Sequence, residues 1–452
     1  MAKYSIIGGN KLKGEVTLSG AKNVAFKALI AGFLTKEKVL IKNIPLIGDF
    51  FLTSEMLLGL GAEITIDTKK HEATITAENI NLSHLPLEMG AKSRAAAMLF
   101  GPLLARTGKA IIPNPGGCKL GARPIDRHIE GLEKMGAIIK YEKDGFFHAS
   151  LMNKKLKGTK YVFDKNTHTG TETLIMAGVL ATGETILENA AEEPEVDDLI
   201  NLLNKMGAKI KRVNNRTIII EGVNELHGAE YEVMPDRNEA VTYAVAALAT
   251  GGEITIKNCQ PQYLKSFLSF LSISNFEILD PVSSFQLPNS STVVKFKSKE
   301  KILPQSIVTG PHPGFMTDWQ GPMAVLLTQA KGTSIIHETI YENRFGYVSE
   351  LVKMGAHIEN FQPEIKNPEN YYNFNWECRE KEMGQAIKIY GGNKLHSANV
   401  KIKDLRAGAS LVLAALTASG KSELDGIDQI ERGYEDLDKK LNLLGAKITK
   451  ND

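Results

Sequence analysis

One tetrapeptide, Gly-Ala-x-Ile, recurs through this chain in a fixed context, and a repeat of this kind restricts the architectures open to it. It stands at Gly61-Ala62-Glu63-Ile64, Gly136-Ala137-Ile138-Ile139, Gly207-Ala208-Lys209-Ile210, Gly355-Ala356-His357-Ile358 and Gly445-Ala446-Lys447-Ile448. A degraded copy, Ser274-Asn275-Phe276-Glu277-Ile278, fills the one gap, so that successive copies lie 75, 71, 67, 81 and 90 residues apart. Each copy is expected to end an amphipathic helix, with its Gly as a left-handed C-cap, and to open an alternating strand. A second marker keeps the same phase: a helix rich in small apolar residues, then a Gly turn, then a strand. It is read at Ala95–Ala105, Leu174–Ala181, Tyr243–Ala249, Met323–Ala330 and Ser410–Ala418. The chain is therefore an α/β protein made of six copies of a mixed strand–helix unit of about 70 residues. The later units are longer, with the excess in 281–305 and 361–391. These polar stretches, rich in Ser, Asn, Pro and Glu, read as surface insertions.

The bulk properties exclude several functions. With 452 residues, 43% of them apolar, the chain has material for sizeable cores. A net charge of only +2 gives no global field to recruit nucleic acid. Three cysteines, Cys118, Cys259 and Cys378, have neither a disulfide framework nor zinc-type spacing, which fits a reducing compartment. No stretch approaches the ~20 apolar residues of a membrane span, and Met1–Gly9 has no signal core. A cytoplasmic protein is expected, and the sequence leaves its oligomeric state open.

Two turns per unit carry the unusual residues. At the entry to the small-residue helix stand Ser19-Gly20-Ala21-Lys22-Asn23, Lys92-Ser93-Arg94, Thr167-His168-Thr169, Pro235-Asp236-Arg237, Thr317-Asp318-Trp319 and Asp404-Leu405-Arg406. Four of the six place a cation at a helix N-terminus, where the helix dipole disfavours it. One long cation there swings out to solvent, but four at equivalent positions suggest a bound anion. The second turn joins strand to amphipathic helix. In the second unit it is Pro113-Asn114-Pro115-Gly116-Gly117-Cys118-Lys119-Leu120-Gly121-Ala122-Arg123-Pro124, with Pro124 suited to the first helical position and Ile125, Ile129, Leu132 and Met135 to burial. The equivalent turns hold Arg344 and Arg432. A lone Cys is usually a small core hydrophobe, which suffices for Cys259 and Cys378. Cys118, in a polar glycine-rich loop beside Lys119 and Arg123, has the surroundings of a reactive thiol.

The Cys118 loop resembles the catalytic loop of UDP-N-acetylglucosamine enolpyruvyl transferases. So, in order, do Gly14-Glu15-Val16 with Ser19–Asn23, Glu193-Pro194-Glu195, Pro235-Asp236-Arg237, Thr317-Asp318, Glu342-Asn343-Arg344, Asp404-Leu405-Arg406 and Arg432-Gly433-Tyr434. The resemblance runs from about Lys11 to Ile448, the two long stretches excepted. It implies a two-lobed, inside-out α/β barrel with three units per lobe about a pseudo-threefold axis. One lobe would be 22–234 and carry the Cys loop. The other would join 1–21 to 235–452, with a two-strand hinge near 21–22 and 234–235 and the site in the cleft.

The implied chemistry is addition of a sugar 3′-hydroxyl to C2 of phosphoenolpyruvate with protonation of C3, then elimination of phosphate. No metal or organic cofactor is implied, and the partners are the two small molecules alone. By resemblance Lys22, Asn23, Arg123 and Arg432 would bind phosphoenolpyruvate. Asn23, Arg94, Arg123, Pro124, Ile125, Asp126, Arg127, Lys165, Thr169, Asp318 and Ile340 would contact UDP-N-acetylglucosamine. Cys118, Asp318, Lys22 and Arg406 would be catalytic, Cys118 as acid and Asp318 as base, and Arg237, Arg344 and Asp404 would line the cleft. Asp318 also reads as a helix N-cap beside Thr317. The implied role is the first committed step of peptidoglycan precursor synthesis in bacteria, hence cell shape and division, with fosfomycin as an alkylating inhibitor of Cys118. The chain departs from the family pattern at Gly48, where a Lys is expected before Asp49, at Phe26-Lys27, expected to be small or aliphatic with a Pro, and in the longer stretch Phe361–Gly391. The alternatives are a 5-enolpyruvylshikimate-3-phosphate synthase, whose pattern lacks the Pro-Gly-Gly-Cys loop, a paralogue that binds nucleotide sugar without turnover, and a repeat scaffold, which leaves the repeated cations unexplained.

Overall fold

In the computed structural model the described residues are 2–80, 82–116, 124–153, 155–272, 275–279, 292–299, 301–379 and 384–451. The five intact Gly-Ala-x-Ile copies do what their sequence demands. Gly61, Gly136, Gly207, Gly355 and Gly445 have φ of +102°, +95°, +97°, +90° and +94°. They follow the helices Gly48–Gly59, Asp126–Lys134, Pro194–Lys205, Val348–Lys353 and Leu437–Leu443 and precede five strands, Glu63–Asp67, Ala137–Tyr141, Lys209–Asn214, His357–Phe361 and Ile448–Asn451. A residue without Cβ enters the left-handed region without strain, so the helix stops and the chain turns into the sheet. The degraded copy opens the short strand Phe276–Ile278.

The described residues form six sheets, one per repeat. Five have the same four-strand plan, in which a short edge strand runs parallel to a longer one, and two antiparallel strands follow. In one sheet Lys160–Val162 pairs parallel with Glu184–Glu188, then Thr217–Glu221 and Lys209–Asn214 complete it. The sixth sheet has three strands, Lys109–Pro113, Phe146–Leu151 and Ala137–Tyr141, and an isolated parallel bridge from His84 to Ile111 stands in the place of the edge strand.

Two irregularities in chain order matter. The sheet of the last repeat, Asn399–Lys401, Lys421–Asp425 and Ile448–Asn451, takes its remaining strand from Lys3–Ile7, 400 residues earlier in the chain. The short strands Lys13–Thr17 and Glu230–Glu232 are exchanged with respect to the helices that follow them. Lys13–Thr17 pairs with Glu253–Cys259 but leads into the helix Lys22–Gly32, whereas Glu230–Glu232 pairs with Val39–Lys42 but leads into the helix Arg237–Ala249. The described residues fall into two compact units accordingly, one of 2–19 with 235–451 and one of 20–116 with 124–234. The chain passes between them at 19–20 and at 234–235.

In the first of these units the helices Arg237–Ala249, Gln320–Thr328 and Leu405–Thr417 pack against one another, each surrounded by its neighbours and by sheet. Residues 237–248, 320–328 and 405–416 are all buried. Ala, Gly and Ser allow the close approach that a helix enclosed on every side requires. In the other unit Phe100–Thr107 packs on His168–Gly178. The continuous helix expected over Ala95–Ala105 is interrupted at Leu99 between Ala95–Met98 and Phe100–Thr107, and Pro102 inside the second segment has no N–H to give to a longer helix.

Several expectations are corrected. Pro124 precedes the helix Asp126–Lys134, whose N-cap is Ile125, so it does not occupy the first helical position. That helix buries His128 and Gly131 together with Leu132, while Ile129 is only half-buried. The two long stretches are not wholly insertions. Thr292–Lys297, with Val294 and Phe296 fully buried, and Ala386–Gly391, with Ile387 and Ile389 fully buried, are the ladder strands of their own repeats. Nor is the second stretch simply polar, since it buries Tyr372 and Phe374.

Gly20 stands at the entry to the second unit, where a Cβ would come within 1.7 Å of the Asn43 carbonyl oxygen. The clash is with main chain, so it cannot be relieved by turning a side chain. Gly20→Ala should lower stability by about 2–3 kcal/mol, read as a fall in the midpoint of thermal unfolding; an unchanged midpoint would show that the Asn43 turn gives way freely.

Candidate functional site

In the unit of residues 2–19 and 235–451, the turns that precede two of the packed helices and the turn that carries Arg344 bring together Asp318, Arg344, Asp404 and Arg406, all singled out from sequence. Asp318 lies within the single turn Thr317–Trp319, not at its N-cap, which is Met316. Its carboxylate accepts from Arg344 Nη2 at 2.6 Å on one oxygen and from Arg406 Nε at 3.0 Å on the other. Arg344 Nη1 is also 3.7 Å from Asp404 Oδ1. Arg344 and Arg406 are buried, and burial alone would lower their pKa. The Asp318 carboxylate, with Asp404 and Glu338 about Arg344 and Asp236 about Arg406, raises both above the ordinary guanidinium value. Two always-charged groups on one carboxylate favour its ionised form. Arg406 Nη1, buried, finds no acceptor among the described residues.

The helix N-termini explain how cations are tolerated there. Asp236 caps its helix by accepting from Asn238 and Glu239 N–H at 2.7 and 3.3 Å. Asp404 does the same for Arg406 and Ala407 at 3.0 and 3.1 Å. The carboxylate meets the dipole at each N-cap, and the arginine beside it is offset by protein groups. Arg237 lies over the Trp319 ring, 5.6 Å from its centroid, with Nη1 3.1 Å from His312 Nδ1. Arg406 lies over the Tyr434 ring at 5.3 Å. Lys22, in the other unit, is 3.0 Å from Asp49. The anion expected at these helix ends is thus in part supplied by the protein itself.

Behind Asp318 stands a residue the sequence reading missed. Glu338 is fully buried and its Oε2 accepts from the Thr317 hydroxyl at 2.9 Å. Its Oε1 accepts from the N–H of Ile340 at 2.7 Å and of Tyr341 at 3.2 Å. Burial raises its pKa, and these donors hold the charge it keeps. Ile340 itself is half-buried at the end of this turn, while Arg432 is half-buried at the C-cap of Asp428–Glu431.

In the unit of residues 20–116 and 124–234, Arg127 grips Asp164 with two parallel bonds of 2.5 and 2.8 Å. His128 Nε2 is 3.1 Å from the Thr169 hydroxyl. Lys165 and Thr169 flank the N-cap Thr167, whose side chain accepts from Gly170 N–H. Asn23, Arg94 and Pro124 are half-buried and Ile125 is buried, whereas Asp126 is exposed. Cys118 and Arg123 lie outside the described residues. Cys259 is a fully buried core residue whose thiol burial pushes up to about 12, as expected of a structural cysteine. No helix of the described residues is long and apolar enough to cross a membrane.

Lys27, one of the departures noted above, is 2% exposed and sits 2.6 Å from Glu172 Oε1, on a residue with no exposure at all. His168 Nε2 joins them at 3.0 Å from Lys27 Nζ and 3.2 Å from Glu172. This trio, with Lys27 and Glu172 buried and His168 half-buried, ties the helix that begins with Lys22 and Asn23 to the helix that begins beyond Thr167. The signal was in the sequence: a Lys inside one small-residue helix, and a Glu inside another.

Comparison with known proteins bears on the whole chain. The family pattern described as EPSP synthase (3-phosphoshikimate 1-carboxyvinyltransferase) matches residues 6–441. A UDP-N-acetylglucosamine 1-carboxyvinyltransferase of Acidobacterium capsulatum is 42% identical over 450 residues, 99% of this chain and 96% of that one. Another, of Idiomarina loihiensis, is 41% identical over 448 residues, 99% of each. Among solved structures, the enolpyruvyl transferase NikO from Streptomyces tendae superposes with a TM-score of 0.83 over 100% of this chain and 99% of that one at 22% identity. An EPSP synthase from Acinetobacter baumannii gives 0.74 over all of both chains at 19% identity.

Two tests follow from the buried groups. Lys27→Met leaves the buried Glu172 without its lysine and with His168 alone beside it, which should cost about 3–5 kcal/mol in denaturant unfolding, and Lys27→Met with Glu172→Leu should recover most of it. His128, held neutral by burial and by Arg94 and Arg127, has its pKa lowered to about 3. Its contribution is present above the unfolded value of ~6.5 and is lost as pH falls toward the folded one, by up to ~1.4 kcal/mol per pH unit. The stability difference between wild type and His128→Gln should shrink over that window; a constant difference would show that His128 does not titrate on unfolding.

With the family pattern spanning most of its length and relatives at 41–42% identity along nearly all of it, the chain belongs to the carboxyvinyl (enolpyruvyl) transferases of the EPSP synthase family, and is a transferase.

Proposed function

We propose that this enzyme transfers the enolpyruvyl group of phosphoenolpyruvate to the 3′-hydroxyl of UDP-N-acetylglucosamine and releases phosphate. What carries the reading is full-length likeness, at 41–42% identity, to proteins bearing the name of that activity, in a chain that keeps the Cys118 loop. A shikimate 3-phosphate acceptor is not favoured, because likeness to the EPSP synthase structures stays at 19% identity.

In this mechanism Lys22, Asn23, Arg123 and Arg432 bind the phosphate and carboxylate of phosphoenolpyruvate, where fork-shaped guanidinium groups suit both anions. Arg406 adds a buried N–H that has no acceptor within the described protein. Asp318 takes the proton of the 3′-hydroxyl as oxygen bonds to C2. Its two oxygens accept from Arg344 and Arg406, and a carboxylate oxygen is able to accept more than one hydrogen bond. Cys118 delivers the proton to C3, giving a tetrahedral phosphate-bearing centre. Loss of a C3 proton and of phosphate then forms the enol ether, so no redox partner is needed. Arg94, Arg127, Lys165, Thr169 and Ile340 hold the nucleotide sugar, and the passages at 19–20 and 234–235 serve as the hinge by which the two units close. The reading places the enzyme in the cytoplasm at the first committed step of peptidoglycan precursors, on which cell shape and division depend.

Phosphate release should require UDP-N-acetylglucosamine; turnover with shikimate 3-phosphate in its place would sink the assignment. A positioned acid is worth roughly 10²–10⁴-fold, so Cys118→Ala should lose that much turnover while still binding the nucleotide sugar. Cys118→Asp should retain substantial activity and escape fosfomycin. Near-normal turnover by Cys118→Ala, or a fosfomycin adduct on Cys259 or Cys378, would overturn the role given to Cys118.

A further inference from the structure

In three of the repeats the last two strands of the sheet meet in a short hairpin, as from Asp67 to Glu72 or from Asn214 to Thr217. In the fifth repeat the same connection, between His357–Phe361 and Ala386–Gly391, runs through residues 362–385. Its described part has a small core of its own. The Tyr372 ring lies flat on Trp376, with centroids 4.5 Å apart and planes 10° from parallel, and the Arg379 guanidinium sits 3.4 Å above the other aromatic partner's centroid at Trp376.

This segment grips one stretch of the molecule repeatedly. Tyr371 stacks on His337 at 5.4 Å, and the Tyr372 hydroxyl lies 3.0 Å from His337 Nε2. Asn373 N–H donates to the Thr339 carbonyl at 2.8 Å. Gln385, 1% exposed, accepts from Glu338 N–H at 2.8 Å through its carbonyl and donates from Nε2 to the Glu342 carbonyl at 2.8 Å. His337, Glu338, Thr339 and Glu342 are therefore each held by a residue of the connection. Between them, the Glu338 carboxylate turns away toward Thr317 and the N–H groups of Ile340 and Tyr341. A long surface loop that only covered a sheet edge would have no reason to bond four points of the turn carrying Ile340.

We propose that residues 371–379 together with Gln385, with Tyr372 at their centre, are a positioning element for the acceptor side of the active site. They fix the 337–342 turn, and through Glu338 they fix Thr317 and with it the Asp318 carboxylate. The assignment rests on the function proposed above for the kinetic part of its test, but not for the structural part. It goes beyond the reading from sequence of the stretch as a surface insertion.

Tyr372→Ala removes the stack and the hydroxyl, whereas Tyr372→Phe keeps the stack. In the substrate-free protein, hydrogen exchange at the amides of Ile340 and Tyr341, which end on Glu338, should quicken about tenfold in Tyr372→Ala and by less than about threefold in Tyr372→Phe. Exchange in the remote strand Glu184–Glu188 should not change. In phosphate-release assays KM for UDP-N-acetylglucosamine should rise about tenfold in Tyr372→Ala, with KM for phosphoenolpyruvate within about twofold of wild type. Unchanged exchange at Ile340 and Tyr341 would overturn the positioning role whatever the kinetics. Faster exchange with both KM values unaltered would overturn its bearing on the acceptor. Wild type that releases no phosphate with UDP-N-acetylglucosamine would instead refute the proposed function and leave the exchange result to decide the structural claim. If Tyr372→Ala does not fold, Tyr372→Leu, which keeps apolar bulk without the stack, takes its place with the same expected outcomes.

Discussion

A helix enclosed on every side is the constraint from which most of this structure follows. Such a helix cannot be amphipathic, and it needs small residues so that sheets and neighbouring helices can approach its main chain. Arg237–Ala249 and Leu405–Thr417 meet both conditions, with buried runs of Ala, Val and Leu over nearly their whole length. A helix in this position also buries its own first turn. Four N–H groups are then left away from water, and they must find acceptors. Asp236 and Asp404 supply them, each accepting two N–H bonds. Carboxylates buried for this structural reason draw in cations, and arginines at the start of these helices become affordable where a solvent-exposed helix would reject them.

The charge cluster around Asp318 extends that logic to chemistry. Buried guanidinium groups keep their charge only because carboxylates surround them, and Arg344 and Arg406 both owe theirs first to Asp318. The same carboxylate is the group that has to receive a proton in the proposed reaction. Preorganised charges of this sort are strong in a dry site and need no rearrangement when the transition state forms. Glu338 adds a second tier, for it holds Thr317 next to Asp318. The Lys27–Glu172 pair, with His168 beside it, plays a comparable part in the other unit, where it fixes the start of one helix against that of another.

Much of this was legible before any coordinates. The Gly-Ala-x-Ile repeat has a direct physical cause, the left-handed C-cap, so six units could be counted and five helix ends placed. The cations at helix N-termini were legible as an anomaly, but their partners were not, because Asp318 and Arg344 meet only through the folding of separate repeats. Glu338 went unnoticed because nothing in Ile336–Tyr341 distinguishes a buried acid from a surface one. The two long stretches misled for a different reason. Their polar composition hid Val294, Phe296, Ile387 and Ile389, whose alternation is that of half-buried strands, and a clear aromatic run at Tyr371–Trp376. Lys27 was seen as odd by family pattern, and only the distance to Glu172 shows it to be half of an ion pair.

The strand Lys3–Ile7 lies between Lys421–Asp425 and Ile448–Asn451, and this has a consequence for how the chain is made. A ribosome adding 5–20 residues per second needs roughly 20–90 s to reach the partners of that strand. Throughout that interval the first strand has no sheet to join. The described residues between 20 and 234, by contrast, all belong to one unit, and their sheets can close while synthesis continues. The unit that waits is the one that contains Asp318, Arg344 and Arg406. Competence for chemistry thus arrives last, at the moment when the final strand of the chain closes around the first.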